Sequence, residues 1–423
     1  MTKDQLFTLL LDQQKVFGKG RDLIDREVDL GPFCRTGQVV VVTGIRRGGK
    51  SSLLYLIKKE LGLEQGDYLY VNCDDERIVR EVSFLDRIYQ LHIEKFKKEP
   101  VLFLDEVQEI PLWEKFVNRL HEKGLKIFVT GSNSSLLSSE IATTLTGRNK
   151  TLRLFPFSFA EFLRMRTRNI DIGKPTSKAL NQLQSDLLEY LQIGGFPLVS
   201  KEMDTEILNE YFQDIFYRDI IARYSITRVN EIRELSMYFF SNPSRLFSYS
   251  ALQKLTGIKS SSSIKNYLEY MESAYLFYYL RKFDYSVRRQ FQSSKKVYSI
   301  DTGLCNRLGF SFSENKGRLL ENTIFLELHR RGYELFYYKG KGDCDFVVRS
   351  AGKVISVIQV CWEINEKNMN RELNGLMEAR NELSPQSALL ICADSRFVNI
   401  ELPGGIELIS APNWLLSADL SKK

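Results

Sequence analysis

Histidine is scarce in this sequence: His92, His121 and His329 are the only three among 423 residues. The six cysteines (Cys34, Cys73, Cys305, Cys344, Cys361, Cys392) are scattered, with no CxxC pair. This poverty of clustered Cys and His excludes a zinc site or a Cys/His nucleophile pair as an organising feature, and it predicts reduced thiols in a cytoplasmic protein. Long apolar runs are missing as well. The N-terminal run Leu6 to Leu11 stops at Asp12, short of a signal-peptide core and far short of the ~18 apolar residues of a membrane span. No membrane partner is expected. Excess charge of one sign is small: 59 Lys and Arg face 53 Asp and Glu, a net charge of +6. That weak field permits an anionic partner without demanding one. What remains is ordinary for a globular chain, 43% apolar and 26% charged, with length for about two to four domains.

The first ~165 residues alternate strand-like and helix-like pieces. Continuous apolar runs at Val39 to Thr43, Tyr68 to Asn72, Val101 to Leu104 and Ile127 to Thr130, with a fifth at Thr151 to Leu154, predict a parallel sheet buried on both faces. A break follows over Thr167 to Ser177, around Gly173, Lys174 and Pro175. Residues 178–224 read as helical, interrupted at Gly194, Gly195 and Pro197. Past Asn242-Pro243-Ser244 come two short helices, Tyr249 to Leu255 and Ser261 to Ala274, then strands at Tyr275 to Phe283 and Val297 to Ile300. The last stretch offers a helix at Gly317 to Arg331 and strands at Glu334 to Tyr338, Asp345 to Arg349 and Val354 to Val360.

Between the first strand and its helix stands Gly44-Ile45-Arg46-Arg47-Gly48-Gly49-Lys50-Ser51-Ser52, which satisfies GxxxxGK[ST]. Glycines let backbone N–H groups turn toward phosphate oxygens, and the following helix N-terminus favours negative charge. Lys50 supplies a point charge for the β- and γ-phosphates, and Ser51 a hydroxyl for Mg²⁺. Some 55 residues on, the Val101 to Leu104 strand ends in Asp105 and Glu106, which a parallel sheet delivers beside that loop. Asp105 is expected to hold hydrated Mg²⁺ and Glu106 to orient the attacking water. Asn133, ending the fourth strand, and Arg148, preceding the fifth, are further candidates. The alternatives for them are a polar turn and a surface ion pair.

The run Gly44 to Leu54, Phe103-Leu-Asp-Glu-Val-Gln108, Thr130-Gly-Ser-Asn133, Leu145-Thr-Gly-Arg148, Leu154-Phe-Pro-Phe-Ser-Phe159, Tyr190 to Pro197 and Tyr217-Arg-Asp-Ile220 together resemble the archaeal and bacterial AAA-like ATPases that carry a C-terminal domain of unknown function. The resemblance covers nearly the whole chain. It implies an α/β AAA+ P-loop core (1–165), a helical lid (166–228), a winged helix (229–305) and a restriction-endonuclease-like α/β domain (306–423). It further implies ATP as the nucleotide, Asn133 as first sensor and Arg148 as an arginine finger acting on a neighbouring copy.

Two later regions bear on the task of such an engine. In a helix-turn-helix the second helix enters the major groove, and here it opens with Lys259 and four serines, followed by Lys265. Segment 281–296 carries Arg281, Lys282, Arg288, Arg289, Lys295 and Lys296 against Asp284 alone, interleaved with Tyr285 and Phe291. Charge and aromatics in that mixture are what a hairpin touching nucleic-acid phosphates requires. In the last domain Glu321, Asp345 and Gln359 follow the order of a PD-(D/E)xK nuclease core, whose acids hold Mg²⁺ and whose lysine positions water. The lysine position is Cys361, so the site reads as degenerate, unless Lys339, Lys341 or Lys353 migrates in. The expectation is an ATP-hydrolysing motor or remodelling ATPase acting on DNA as a homo-oligomer. The alternative is a nucleotide-controlled switch that binds protein partners.

Overall fold

The computed structural model describes residues 1–19, 23–133, 145, 147–168, 176–310, 315–394 and 402–417. The chain forms two compact units, one of residues 1–155 with 273–275 and one of residues 156–272 with 276–423. The expected break over 169–175 and Thr146 of the Leu145 to Arg148 motif lie outside the described residues.

The first unit is built on five parallel strands: β1 (Val39–Thr43), β2 (Tyr68–Asn72), β3 (Val101–Asp105), β4 (Ile127–Gly131) and β5 (Asn149–Arg153), in the order β2-β3-β4-β1-β5. Helices α1 (Lys3–Gly18), α2 (Gly31–Arg35), α3 (Lys50–Glu60), α4 (Val82–Phe96) and α5 (Trp113–Glu122) accompany them. The valine run of β1 shows why both faces must be covered. Val39 and Val41 enter one core with Leu69, Phe84, Leu104 and Trp113, while Val40 and Val42 enter the other with Leu53, Ile57, Phe103 and Phe128. Strand alternation sends neighbouring side chains to opposite faces, so an unbroken apolar run belongs to a two-sided core. The fifth strand starts two residues earlier than its apolar run suggested, because Asn149 and Lys150 pair with Val39 and Val40.

The second unit begins with helices: α6 (Phe159–Met165), α7 (Ser177–Ile193), α8 (Pro197–Glu202) and α9 (Ile207–Asp214), the last running into a π-helix at Ile215–Ala222 that holds the Tyr217-Arg-Asp stretch. Then come α10 (Val229–Ser241), β6 (Leu246–Phe247), α11 (Tyr249–Thr256), α12 (Ser261–Ser273), β7 (Phe277–Leu280), α13 (Val287–Gln292) and β8 (Lys295–Ser299). The three strands form an antiparallel sheet ordered β6-β8-β7. The connection expected to be a bare hairpin therefore contains a helix, α13, whose start is capped by the Ser286 hydroxyl accepting from the Arg289 N–H.

After α14 (Thr302–Leu308) the chain runs α15 (Lys316–Arg330), β9 (Glu334–Lys339), β10 (Asp343–Ser350), β11 (Lys353–Cys361), α16 (Met369–Leu383), β12 (Ser387–Cys392), β13 (Ile406–Ser410) and α17 (Ala411–Leu416). Its sheet is mixed, ordered β13-β12-β11-β10-β9, with β9, β10 and β11 antiparallel and β11, β12 and β13 parallel. A core of Phe336, Val347, Val357, Leu376 and Leu390 lies under α16. Among the described residues no helix is long and apolar enough to cross a membrane.

Candidate functional site

The end of β1 and the start of α3 bracket the phosphate loop. Gly44 has a positive φ of 151°, and a Cβ there would lie 2.1 Å from the Leu154 carbonyl oxygen, so no side chain fits. Gly49 turns the chain into α3 at φ 100°. From the N-terminal segment, Arg26 donates to the carbonyls of Phe155 (2.7 Å) and Gly48 (3.3 Å), bracing the loop from outside. Lys50 is buried, and its Nζ lies 3.2 Å from the carbonyls of Gly44 and Ile45 and 3.2 Å from Glu106 Oε1.

Asp105 ends β3 fully enclosed. Its Oδ2 accepts from the Tyr70 hydroxyl of β2 at 2.9 Å, its Oδ1 from Thr130 of β4, and the Ser51 hydroxyl bonds to it too. Burial, and then the neighbouring Glu106, raise the Asp105 carboxyl above its ordinary value. Glu106 stands at φ 51°, a left-handed backbone in a residue that rarely adopts it. The Thr130 hydroxyl accepts from its N–H at 2.9 Å and holds that turn. Such strain persists only where the surroundings over-determine it, and it clusters at functional sites. Burial pushes the Glu106 carboxyl up, but Lys50 and Arg46 outweigh it and hold the group at about 2. Two adjacent carboxyls are thus driven apart, the usual mark of divided roles.

The remaining candidates of this unit are spread out. Asn133 is buried just beyond β4. Arg46 is buried within reach of Asp74 at 3.6 Å, while Arg47 is exposed. Arg148 precedes β5, so it sits at the opposite edge of the sheet, about 16 Å away by strand rise over five residues. There it bonds Asn118 and Glu122 of α5, both at 2.7 Å. It is not part of its own chain's phosphate loop. Tyr70 and Arg26 carried no motif in the sequence, and Thr130 stood in one without a role of its own; sheet order brings Tyr70 and Thr130 to Asp105, and the N-terminal segment brings Arg26 to the loop.

A family model described as an AAA domain matches residues 36–163, and one described as a domain of unknown function (DUF8612) matches residues 184–315. An uncharacterized protein of Methanocaldococcus jannaschii is 37% identical over 390 residues, covering 89% of this chain and 85% of the relative. The chain belongs to that family of AAA-domain proteins. An uncharacterized protein of Haemophilus influenzae is 29% identical over 398 residues, covering 91% of this chain and 96% of its own length. Among solved structures, the Walker-type ATPase of Pyrococcus abyssi is similar at 16% identity and a TM-score of 0.41, over 73% of this chain and 95% of that one. An AAA domain implies nucleotide binding.

In the second unit the basic segment separates into exposed and committed charges. Arg281, Arg288 and Arg289 are exposed. The Arg281 guanidinium lies over the Phe291 ring at 4.4 Å, and Arg289 pairs with Asp284 at 3.0 Å. Lys265 on α12 is exposed, Lys282 is half-buried, and Lys295 is half-buried over Tyr249. Lys296 is a different matter. It points inward and is buried, with Nζ 2.7 Å from Asp345 Oδ1 and 2.9 Å from Glu321 Oε1. Its inclusion among surface cations is corrected by that ion pair: alternation along β8 turns it to the opposite face from Lys295.

The nuclease-like acids converge around this ammonium. Glu321 on α15 also accepts from the Tyr298 hydroxyl at 2.7 Å, and Asp345 Oδ2 accepts from the Val360 N–H at 2.9 Å. Gln359 is spoken for on both sides, accepting from the Asp345 N–H at 3.2 Å and donating to Glu372 at 2.8 Å. Burial, then Asp345, push the Glu321 carboxyl up to about 7. Cys361 faces Cys392 across the parallel pair β11–β12, with sulfurs 3.1 Å apart. Lys339 is engaged near Asp343 at 3.5 Å, and neither it, Lys341 nor Lys353 joins the acids.

Proposed function

We propose that this chain is an ATP-hydrolysing AAA+ ATPase that acts on DNA as a homo-oligomer. The observation that carries hydrolysis is the meeting of Lys50, Ser51, Asp105 and Glu106 at one edge of the parallel sheet. A serine hydroxyl and a carboxylate, both hard oxygen donors, fit Mg²⁺, and Ser51 and Asp105 would hold it. When bound, that ion supplies charge neutralisation along the β- and γ-phosphates. Tyr70 and Thr130 fix the Asp105 carboxylate by hydrogen bonds.

Without nucleotide the Glu106 carboxyl, held at about 2 by Lys50 and Arg46, is ionised at neutral pH. In hydrolysis its role is to orient and polarise the attacking water. Lys50 contacts Glu106 here, and the same ammonium serves the phosphates when nucleotide arrives. Nucleotide binding thereby frees the Glu106 carboxylate for water. Arg148, as an arginine finger, would act on a neighbouring copy, which is the basis of the homo-oligomer in this reading.

Support for DNA comes from the exposed cluster of Arg281, Arg288 and Arg289 beside Tyr285 and Phe291, which are 77% and 56% exposed. Guanidinium groups meet phosphates and exposed rings stack on bases. The order of α10, β6, α11, α12, β7 and β8 with a β6-β8-β7 sheet supports the winged-helix reading. The switch remains the second reading, favoured by one observation: Lys296 and Arg289 already have acidic partners, which lowers the positive charge left for DNA. Steady-state ATP hydrolysis with and without single-stranded, duplex and branched DNA, with Glu106→Gln as the blank, separates the two. Stimulation by one DNA form supports the first reading. Slow, DNA-indifferent turnover overturns it in favour of the switch.

A further inference from the structure

A lysine between two carboxylates, all three with less than a tenth of their surface exposed, needs a reason to exist. Buried charge is costly unless its partners are close and the remaining lone pairs are filled. Here the ammonium reaches both acids, the Tyr298 hydroxyl donates to the same Glu321 Oε1, and the Val360 N–H takes the other oxygen of Asp345. Three elements supply the parts, with Lys296 on β8, Glu321 on α15 and Asp345 on β10.

The fold order around the acids implies a divalent cation between them. The residues present do not fit one. The point between Glu321 and Asp345 is taken by the Lys296 ammonium at 2.9 and 2.7 Å. The Gln359 carbonyl, the third donor such a site would use, is turned to the Asp345 N–H.

We propose that the ammonium of Lys296 takes the place of a divalent cation in the C-terminal domain, holding Glu321 and Asp345 together so that the domain keeps its acidic pair without metal. The pair is a structural joint between the three-stranded sheet and the mixed sheet. With that place taken, the ion that would drive phosphodiester cleavage has no seat between the two acids. A single change, loss of the ammonium, turns the same two acids into a divalent-cation site. This inference rests on residues of the second unit alone and stands or falls apart from the ATPase reading.

The test uses the full chain without nucleotide, with Mn²⁺ as probe. Wild type is expected to keep its melting temperature when millimolar Mn²⁺ is added, and to bind no Mn²⁺ that Asp345→Asn removes. Lys296→Met keeps the stem and deletes the charge, leaving two facing carboxylates. Its melting temperature is expected to fall by several degrees in metal-free buffer and to recover at least half of that loss with Mn²⁺. The Mn²⁺ taken up, counted by the loss of free-ion electron paramagnetic resonance signal, should disappear when Asp345→Asn is added. Should Lys296→Met fail to fold, the triple variant Lys296→Met, Glu321→Gln, Asp345→Asn decides. Its folding assigns the failure to uncompensated charge, whereas its failure assigns it to lost packing and overturns the proposal. Three other results overturn it: Mn²⁺ bound to wild type and lost in Asp345→Asn; metal-dependent DNA cleavage lost in the same variant; or Lys296→Met melting like wild type or gaining nothing from Mn²⁺.

Discussion

At the scale of single residues, the phosphate loop concentrates its work in Lys50 and Glu106, which touch each other at 3.2 Å. Lys50→Ala removes the one buried ammonium in the loop and is expected to abolish nucleotide binding, measured with a fluorescent ATP analogue; wild-type affinity would unseat the loop assignment. Glu106→Gln keeps size and hydrogen bonding but not charge. It should bind ATP and turn it over at least ~10²-fold more slowly. Normal turnover in Glu106→Gln would move the water-orienting role to another group. Gly44 makes a backbone argument of the same kind. A Cβ 2.1 Å from the Leu154 carbonyl cannot be relieved by a rotamer change, so Gly44→Ala is expected to cost at least ~2 kcal/mol in denaturant unfolding.

Elements are held by less visible residues, and Asp301 is the clearest case. Its carboxylate caps α14, accepting from the Leu304 N–H at 3.2 Å, and reaches the Gly195 N–H between α7 and α8 at 2.6 Å. Gly194 there has φ 84°, and a Cβ on it would strike the same carboxylate at 2.1 Å. Burial drives the Asp301 carboxyl from 3.8 up to about 6, against backbone N–H groups that pull it down. The folded chain therefore holds this proton more tightly than the unfolded chain. The resulting stability is present below pH ~3.8 and is lost as pH rises through about 6, by roughly 3 kcal/mol. Urea midpoints at pH 4 and pH 7 should show that loss in wild type and a smaller one in Asp301→Asn; equal losses would refute the assignment. The strands and helices that position these groups were readable from the chain, since apolar runs, glycines and prolines are local signals. The phosphate loop was readable for the same reason, its residues being contiguous. The roles of Tyr70, Thr130 and Arg26 were not, because Tyr70 and Thr130 reach Asp105 only through strand order and Arg26 reaches the loop only through a long-range contact. Lys296 read as a surface cation because charge runs carry no sign of which face a strand residue takes, and α13 was missed inside a segment too short and too basic to show helical periodicity.

For the whole molecule, two compact units predict a localised response to nucleotide. ATP with Mg²⁺ at about a hundred times its dissociation constant should add roughly 2.7 kcal/mol to the unit that binds it. Hydrogen exchange should show that protection in residues 1–155, and protection spread evenly over the chain would contradict it. The division also has a consequence for inheritance and engineering. The first unit is not a contiguous stretch: Ser273–Tyr275 belongs to it, separated from residue 155 by more than a hundred residues of the other unit. Tyr275 is buried, with the Arg153 guanidinium 5.7 Å from its ring centroid. A gene fragment ending at residue 155 would leave that ring's place vacant, and a crossover that trades one contiguous segment between relatives would give each hybrid the wrong tyrosine-bearing insert. A chimaera that exchanges the first unit must therefore exchange two pieces of sequence at once.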